Sequence, residues 1–168
     1  GSNSGTLTLS GHTGSVIRWQ FSTDGGFTWT NIVNTTTTQT YLNLLTTRMY
    51  RAQVQNGACT LVNSSAATIT VNPITVGGSV TANATVCSGS NSGTLTLAGH
   101  TGSVIRWEQS IDGGFTWTTI SNTTTTQAYN NLTQTTMYRA VVQSGVCASG
   151  NSSAATIYVF NLSNSVLK

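Results

Sequence analysis

Carboxylates are scarce among the side chains that could do chemistry in this chain of 168 residues. There are three, namely Asp24, Asp112 and Glu108. Hydrolysis by general acid and base normally requires two carboxylates at a defined separation. The two aspartates occupy equivalent places 88 positions apart, and Glu108 is replaced by Gln20 at its own equivalent place. We therefore predict that the chain is not an enzyme.

Two histidines lie in Gly-His-Thr-Gly turns, also 88 positions apart, as His12 and His100. Neither has an Asp or Cys beside it in sequence, which favours a solvated turn over a catalytic or metal-binding role. A calcium site needs several clustered oxygen ligands, and one Asp per copy does not supply them. We expect no metal and no cofactor.

One phrase, Ser-x-Asp-Gly-Gly-Phe-Thr-Trp, occurs twice between apolar runs and predicts a tight hairpin, because glycine accepts the positive φ of such turns. It resembles the Asp box of sialidases and other β-propellers, whose Asp and Ser/Thr side chains bond the turn backbone above a packed Trp. A sialidase site would also need an arginine cluster and a Tyr with a Glu, so we expect structural hairpins. The alternative is a sugar-binding surface formed by Phe27 and Phe115. The hairpin residues are Ser22, Asp24, Gly26, Thr28, Trp29, Ser110, Asp112, Gly114, Thr116 and Trp117.

Three cysteines are present, and Cys59 and Cys147 are equivalent, so a full repeat carries two. An even number favours disulfides outside the cytosol. We expect a Cys87–Cys147 bond, which closes a loop of about 60 residues and stabilises by roughly 4 kcal/mol. Five predicted strands separate these two residues, which places them at opposite ends of a simple sandwich. Either the strand count is off by one or the bond joins neighbouring repeats, and the partner of Cys59 stays open.

The repetition covers most of the chain. Residues 1–71 align with 89–159 without a gap, and 53 of these 71 positions are identical. One structural unit used twice explains this match. We predict a first repeat at 1–74 with a truncated first strand, a second repeat at 75–161, and a tail at 162–168. The missing strand leaves an exposed sheet edge unless another chain fills it.

Alternating apolar residues and frequent Thr predict an all-β fold. Turn residues separate strands at intervals of roughly 8–14 residues, which is typical of a sandwich. We therefore predict two tandem Ig-like or fibronectin-like β-sandwiches of about seven strands each. Ile105 and Trp107 are expected to share one face of their strand, and Trp107 is expected in the core. The strands predicted in the second repeat are 80–86, 94–97, 104–109, 115–120, 128–132, 137–143 and 154–159.

Charge and hydropathy exclude two classes of partner. The net charge of +3 is spread thinly over five arginines and Lys168, whereas nucleic-acid binding needs clustered basic residues. No run of 18 apolar residues is present, so we expect no membrane insertion. The neutral Thr, Ser and Asn composition indicates an extracellular location.

Four motifs together resemble the tandem Ig-like repeats of very large cell-surface adhesins of Bacteroidetes-type bacteria, among them the gliding-motility adhesins. They are Ile-Arg-Trp, the Asp-Gly-Gly phrase, Tyr-x-x-Leu-x-x-x-x-Met-Tyr-Arg-Ala and Ser-Ala-Ala-Thr-Ile-x-Val. The resemblance covers nearly the whole chain and implies export and filaments that attach to surfaces. It implies neighbouring repeats, and surface polysaccharide, as partners. Our first hypothesis is a structural or adhesive repeat segment. The alternative is a carbohydrate-binding accessory module of a secreted protein.

Overall fold

The computed structural model describes residues 3–81 and 83–161, and the predicted tail at 162–168 lies outside them. Every regular element in these two ranges is a β-strand. The chain divides into two compact units, Gly1–Asn72 and Pro73–Lys168. Among the described residues there is no helix that is long and apolar enough to cross a membrane.

The first unit contains two sheets. In one, β1 pairs antiparallel with β4, and in the other the order is β3-β2-β5-β6, with β7 also pairing with β5. Trp19 and Tyr50 lie buried between the sheets. The strands are β1 Ser4–Thr8, β2 Ser15–Ser22, β3 Thr30–Ile32, β4 Thr38–Leu42, β5 Arg48–Gln55, β6 Val62–Asn63 and β7 Ala67–Ile69.

The second unit repeats this plan and adds two strands at its start. Its sheets have the orders β13-β10-β8 and β12-β11-β14-β16-β9, and β15 also pairs with β14. The strands are β8 Ser79–Thr81, β9 Ala84–Cys87, β10 Ser92–Ala98, β11 Ser103–Ser110, β12 Thr118–Ile120, β13 Thr126–Asn130, β14 Thr136–Gln143, β15 Gly150–Asn151 and β16 Ala155–Phe160.

The predicted fold class is confirmed, since the chain forms two tandem Ig-like sandwiches. The strand expected at 80–86 is divided, because β8 pairs with β10 in one sheet and β9 pairs with β16 in the other. The last strand is divided likewise, as β15 and β16 both pair with β14. Counting each divided strand once gives seven strands in the second unit.

A β-bulge changes which residues face the core on β11. The register shifts between Val104 and Arg106, because a bulge adds one residue opposite the partner strand. Val104 and Trp107 are therefore buried, whereas Ile105 is 37% exposed. The expectation that Ile105 and Trp107 share one face was wrong. The first unit has the same shift between Val16 and Arg18.

The two cores differ in how well they are covered. Leu95 is fully buried and Leu97 is 4% exposed, whereas the equivalent Leu7 and Leu9 are only partly buried. In the second unit β8 lies beside β10 and Val80 joins the core. The described part of the first unit has no strand at that place, so its β1 is covered less.

The expected Cys87–Cys147 disulfide is not formed, because both thiols are free. Cys87 pairs with Phe160, beyond the first residue of β14, and Cys147 follows the last one. The eight residues of β14 span about 24 Å, far more than the Cα separation of about 7 Å that a disulfide allows. The strand count holds, and the alternative, a bond between neighbouring repeats, stays a prediction.

Truncation of equivalent leucines should expose the difference in coverage. We expect Leu97→Ala to lower the free energy of unfolding of the second unit by about 3 kcal/mol, since it leaves a cavity in a closed core. Leu9→Ala should cost the first unit about 1 kcal/mol, because its side chain already contacts solvent. Urea unfolding followed by tryptophan fluorescence measures both values, and equal losses would contradict this difference.

Candidate functional site

The hairpin between β11 and β12 is closed by side chains of its own sequence. Ser110 Oγ donates to Asp112 Oδ1 over 2.7 Å and accepts the N–H of Gly114 over 2.8 Å. The N–H of Thr116 lies 2.9 and 3.0 Å from the two carboxylate oxygens. Asp112 thus binds the two ends of the turn together.

The hairpin between β2 and β3 has the same geometry. Ser22 Oγ donates to Asp24 Oδ1 over 2.7 Å and accepts the N–H of Gly26 over 2.9 Å. Both carboxylate oxygens of Asp24 lie 3.0 Å from the N–H of Thr28, whose hydroxyl also donates to Oδ2. The structure therefore brings the Ser, Asp, Gly and Thr of each phrase together in one turn.

Two consecutive glycines allow this turn. Gly113 and Gly114 have φ values of 75° and 92°, and Gly25 and Gly26 have 76° and 94°. These values lie in the left-handed region, where a side chain is costly and glycine is not. The local fold of the hairpin therefore depends on the Asp-Gly-Gly sequence itself.

The tryptophan of each phrase lies against the turn, and an arginine side chain stacks on its ring. Trp117 Nε1 donates to the carbonyl of Gly114 over 2.9 Å. The guanidinium of Arg139 lies 4.0 Å from the centroid of the Trp117 ring, a distance at which a cation is attracted to the ring. Arg139 in turn contacts Glu108 Oε2 over 2.7 Å through Nη2.

Glu108 is 5% exposed and lies between two arginines. Arg106 Nε contacts its Oε1 over 2.7 Å, and Arg139 holds the other oxygen. Burial raises the pKa of Glu108, but the hydrogen bonds and charges of Arg106 and Arg139 outweigh it, so the pKa lies below its ordinary value. A fully paired, ionised carboxylate of this kind is a poor general acid or base.

The first unit holds the same stack without the acid. Gln20 accepts from Arg51 Nε over 2.8 Å and donates to Asn31 over 2.7 Å. Arg51 lies 4.0 Å from the centroid of the Trp29 ring. Arg18 Nε has no hydrogen-bond partner among the described residues, at the place where Arg106 Nε contacts Glu108. A neutral amide thus replaces the carboxylate while the arginine–tryptophan contact is kept, so this contact does not depend on the acid.

The carboxylates of Asp24 and Asp112 are held ionised by their turns. Hydrogen bonds from the hydroxyl and then the N–H of Thr28 or Thr116, followed by the Ser hydroxyl, hold each pKa well below its ordinary value of 3.8. The oxygens are already occupied by donors of the same turn. Neither Asp is therefore poised to donate a proton or to bind a metal.

Other predicted candidates lie apart from this cluster. Phe27 and Phe115 are each 90% exposed on the hairpins. His12 and His100 lie in turns on other loops. Within residues 3–81 and 83–161, no group of three His, Cys, Asp or Glu side chains could hold a metal ion.

The arginines under the hairpins were not among the predicted site residues. Arg139 lies opposite Glu108 in the register of β11 and β14, and Arg51 lies opposite Gln20 in β2 and β5. An arginine at the same place of both copies, in a chain with only 5% charged residues, was the available signal. Assigning its partner required the strand register.

Removal of the turn carboxylate should weaken only its own unit. We expect Asp112→Ala to lower the melting temperature of the second unit by several degrees, because the N–H of Thr116 loses its charged acceptor. Asp112→Asn should cost less, since its amide oxygen still accepts. Asp24→Ala is the matched control and should shift only the transition of the first unit in calorimetry. A shift of both transitions by either variant would contradict local hairpin closure.

Acid should remove the same contribution. Because the pKa of Asp112 is lower in the folded chain than its ordinary value of 3.8, its stabilisation is complete above that value and is lost as the pH falls towards the folded-state pKa. We expect the difference in melting temperature between the native chain and Asp112→Asn to shrink as the pH falls below about 4. A difference that grows in acid would contradict this assignment.

The chain is similar to solved structures with several domains, one of which reaches a TM-score of 0.50. The N-terminal four Ig domains of Dscam1 isoform 4.44 are similar with a TM-score of 0.50 and 10% identity, covering 94% of this chain and 41% of that one. The FN1–FN3 domains of chicken CNTN1 give a TM-score of 0.44 at 14% identity, covering 94% of this chain and 62% of that one. The chain thus spans less than two thirds of either fragment. At such identities the similarity concerns the fold alone.

The chain also matches a sequence family. No curated protein sequence matches the chain. The profile of one family, described as a domain of unknown function (DUF8696), matches residues 1–73 and again residues 76–161. The chain therefore belongs to the DUF8696 family and contains two copies of its domain.

Proposed function

We propose that the chain is a pair of structural repeats from a large secreted bacterial cell-surface adhesin of the type that includes the gliding-motility adhesins. Its partners are neighbouring repeats of the same protein, and its task is to extend the molecule and bear tension, with no catalysis. The proposal is supported by the sequence motifs and by the high sequence identity between the two copies. Duplicated spacers need no individual binding site, so both copies are free to stay alike.

The observation that carries the proposal is the pairing of β9 with β16. These strands are parallel neighbours, with Ala84 opposite Ile157 and Cys87 opposite Phe160. One lies near the start of the second unit and the other near its end. Tension on the two chain ends pulls the strands along their length in opposite directions. Hydrogen bonds that cross between the strands are then loaded together and not one at a time.

Force spectroscopy tests this arrangement on the full chain. We expect two unfolding events with contour-length gains of about 25–30 nm each, and a higher force for the second unit than for the first. The N–H of Ser88 donates to the carbonyl of Phe160 over 2.9 Å, so by alternation that of Val86 also points at β16. Val86→Pro removes this bond and should lower the higher force.

Thr85→Pro is the matched control, because its N–H points away from β16 at the free side of β9. It should leave the higher force nearly unchanged. A spacer role under tension is contradicted if the second unit unfolds at the same force as the first, or if both proline variants act alike.

A second candidate is carbohydrate binding, and the equivalent exposure of Phe27 and Phe115 favours it. Each ring is 90% exposed on its hairpin, and aromatic faces are suitable surfaces for apolar ligand faces. In this reading the rigid Asp hairpin presents the ring, and the ligand is a surface polysaccharide.

A glycan array distinguishes the two candidates. For a spacer we expect the native chain and a Phe27→Ser, Phe115→Ser double variant to give the same background signal. The aromatic rings are solvated, so the double variant should keep both melting transitions. Binding by the native chain that the double variant loses would replace the spacer with the carbohydrate-binding module.

A further inference from the structure

The second unit receives residues 73–81, which we call the leading segment, along the edges of both of its sheets. Val76 and Thr101 exchange two backbone hydrogen bonds of 3.3 and 2.9 Å. Ser153 donates to the carbonyl of Gly78 over 3.0 Å and accepts from Val80 over 3.3 Å. The leading segment is thus held from both sides by main-chain groups.

Side chains of the leading segment fit specific places. Val80 is 7% exposed and belongs to the core. A Cβ at Gly77 would lie 1.9 Å from the carbonyl oxygen of Asn151, so only glycine fits there. The hydroxyl of Thr75 accepts the N–H of Ser144 over 3.0 Å. Ile74, by contrast, is 73% exposed.

The first unit has an open groove at the corresponding place. It encloses about 390 Å³ between the turn at 10–13 and the segment 59–65. A second hollow of about 190 Å³ continues it and shares Leu9, Ser10, Ser64 and Ser65 with it. This second hollow reaches Trp19 and Tyr50 of the core, where Val80 lies in the second unit.

The groove carries nearly the same groups as the occupied one. Thirteen residues line it, and all but four are identical to their equivalents 88 positions later. Thr13, Asn63 and Ser65 stand where Thr101, Asn151 and Ser153 hold the leading segment. The four departures are Ser10 for Ala98, Asn56 for Ser144, Thr60 for Ala148 and Val62 for Gly150.

We infer that this groove binds an extended strand with the sequence pattern of residues 73–81, supplied by another copy of the repeat. Strand addition of this kind gains affinity from main-chain hydrogen bonds and specificity from side-chain pockets. It also relieves the liability of an open edge. The exposure of the groove is consistent with a missing strand, since Ala67 is exposed whereas the equivalent Ala155 is 1% exposed.

The departures locate the specificity within the strand. Val62 replaces Gly150, whose Cβ position lies 3.5 Å from the methyl group of Thr75. The hydroxyl of Thr75 accepts from the main-chain N–H of Ser144, and Asn56 at the equivalent place keeps such an N–H. The groups that receive Gly77 and Val80 are unchanged, and Gly78 lies against the main-chain carbonyl of Ala98, where the first unit has Ser10. Residues 76–81 of the pattern therefore determine binding, and Thr75 contributes less than it does in the second unit.

Titration of a synthetic peptide of residues 73–86 into the full chain tests the inference. We expect binding of one peptide per chain by calorimetry and a higher melting temperature for the first unit. Hydrogen exchange should slow at residues 8–13 and 62–67. No heat of binding, or protection confined to residues 96–101 and 150–155 through exchange of the strand in the second unit, would overturn it.

Peptide variants separate a fitted strand from general stickiness and avoid any question of folding. Gly77→Val should clash at Asn63, and Val80→Asp should place a charge in the core, so each should weaken binding by at least about tenfold. Ile74→Ser is the matched control and should bind like the parent peptide. If the Gly77→Val peptide and the parent peptide bind equally well, the groove is not a sterically specific binding site for this strand.

A covalent version supplies the strand from the same chain. Residues 73–88 are placed directly before Gly1, so that the added strand has the same spacing from the first unit as it has from Gly89 in the second. The first unit should then melt at a higher temperature, and the free peptide should no longer bind. Continued binding of the peptide to this extended chain, with an unchanged first transition, would overturn the assignment of the groove.

Discussion

Coverage of the two open sheet edges is the constraint on which each unit depends. A β-sandwich buries its core fully only if a segment of chain covers the gap between the edges of its two sheets. In the second unit β8 and β9 do this by pairing with one sheet and then the other. The burial of Leu95, Leu97, Ala155 and Ile157 follows from that division. The first unit has the same inward residues, and those near the open edge remain partly exposed.

Few charges are present, and the structure uses them locally. Asp24 and Asp112 each accept hydrogen bonds from donors of a single turn. Glu108 is paired with two arginines. Such short-range pairing holds each hairpin independently of the sheet edges. The hairpins are consequently alike in both units although the edges are not. A rigid turn and an incomplete edge can therefore coexist in one sandwich.

Features set by local sequence were predictable, and features set by pairing were not. The Asp-Gly-Gly turns and the alternation of Leu95 and Leu97 depend on neighbours in sequence. The bulge at Ile105 and the division of the first strand depend on which strand lies opposite, which periodicity does not encode. The Cys87–Cys147 pairing was wrong, in agreement with the predicted strand count, which had placed these residues at opposite ends of the sandwich. Two thiols that look matched by count lie at opposite ends of β14.

The pairing of β9 with β16 also governs how the chain is made. Ala84 pairs with Ile157, which lies more than 70 residues later in the chain. In a chain synthesised from its N-terminus, this pair of the second unit therefore forms late. Closure over such a sequence separation is slow compared with hairpin formation. The sequence Ala-Thr-Ile of β7 is identical to the first three residues of β16, and such likeness between neighbouring repeats favours misassembly during folding. The two copies differ just after this shared sequence, since Thr70 and Asn72 stand where the second copy has Tyr158 and Phe160.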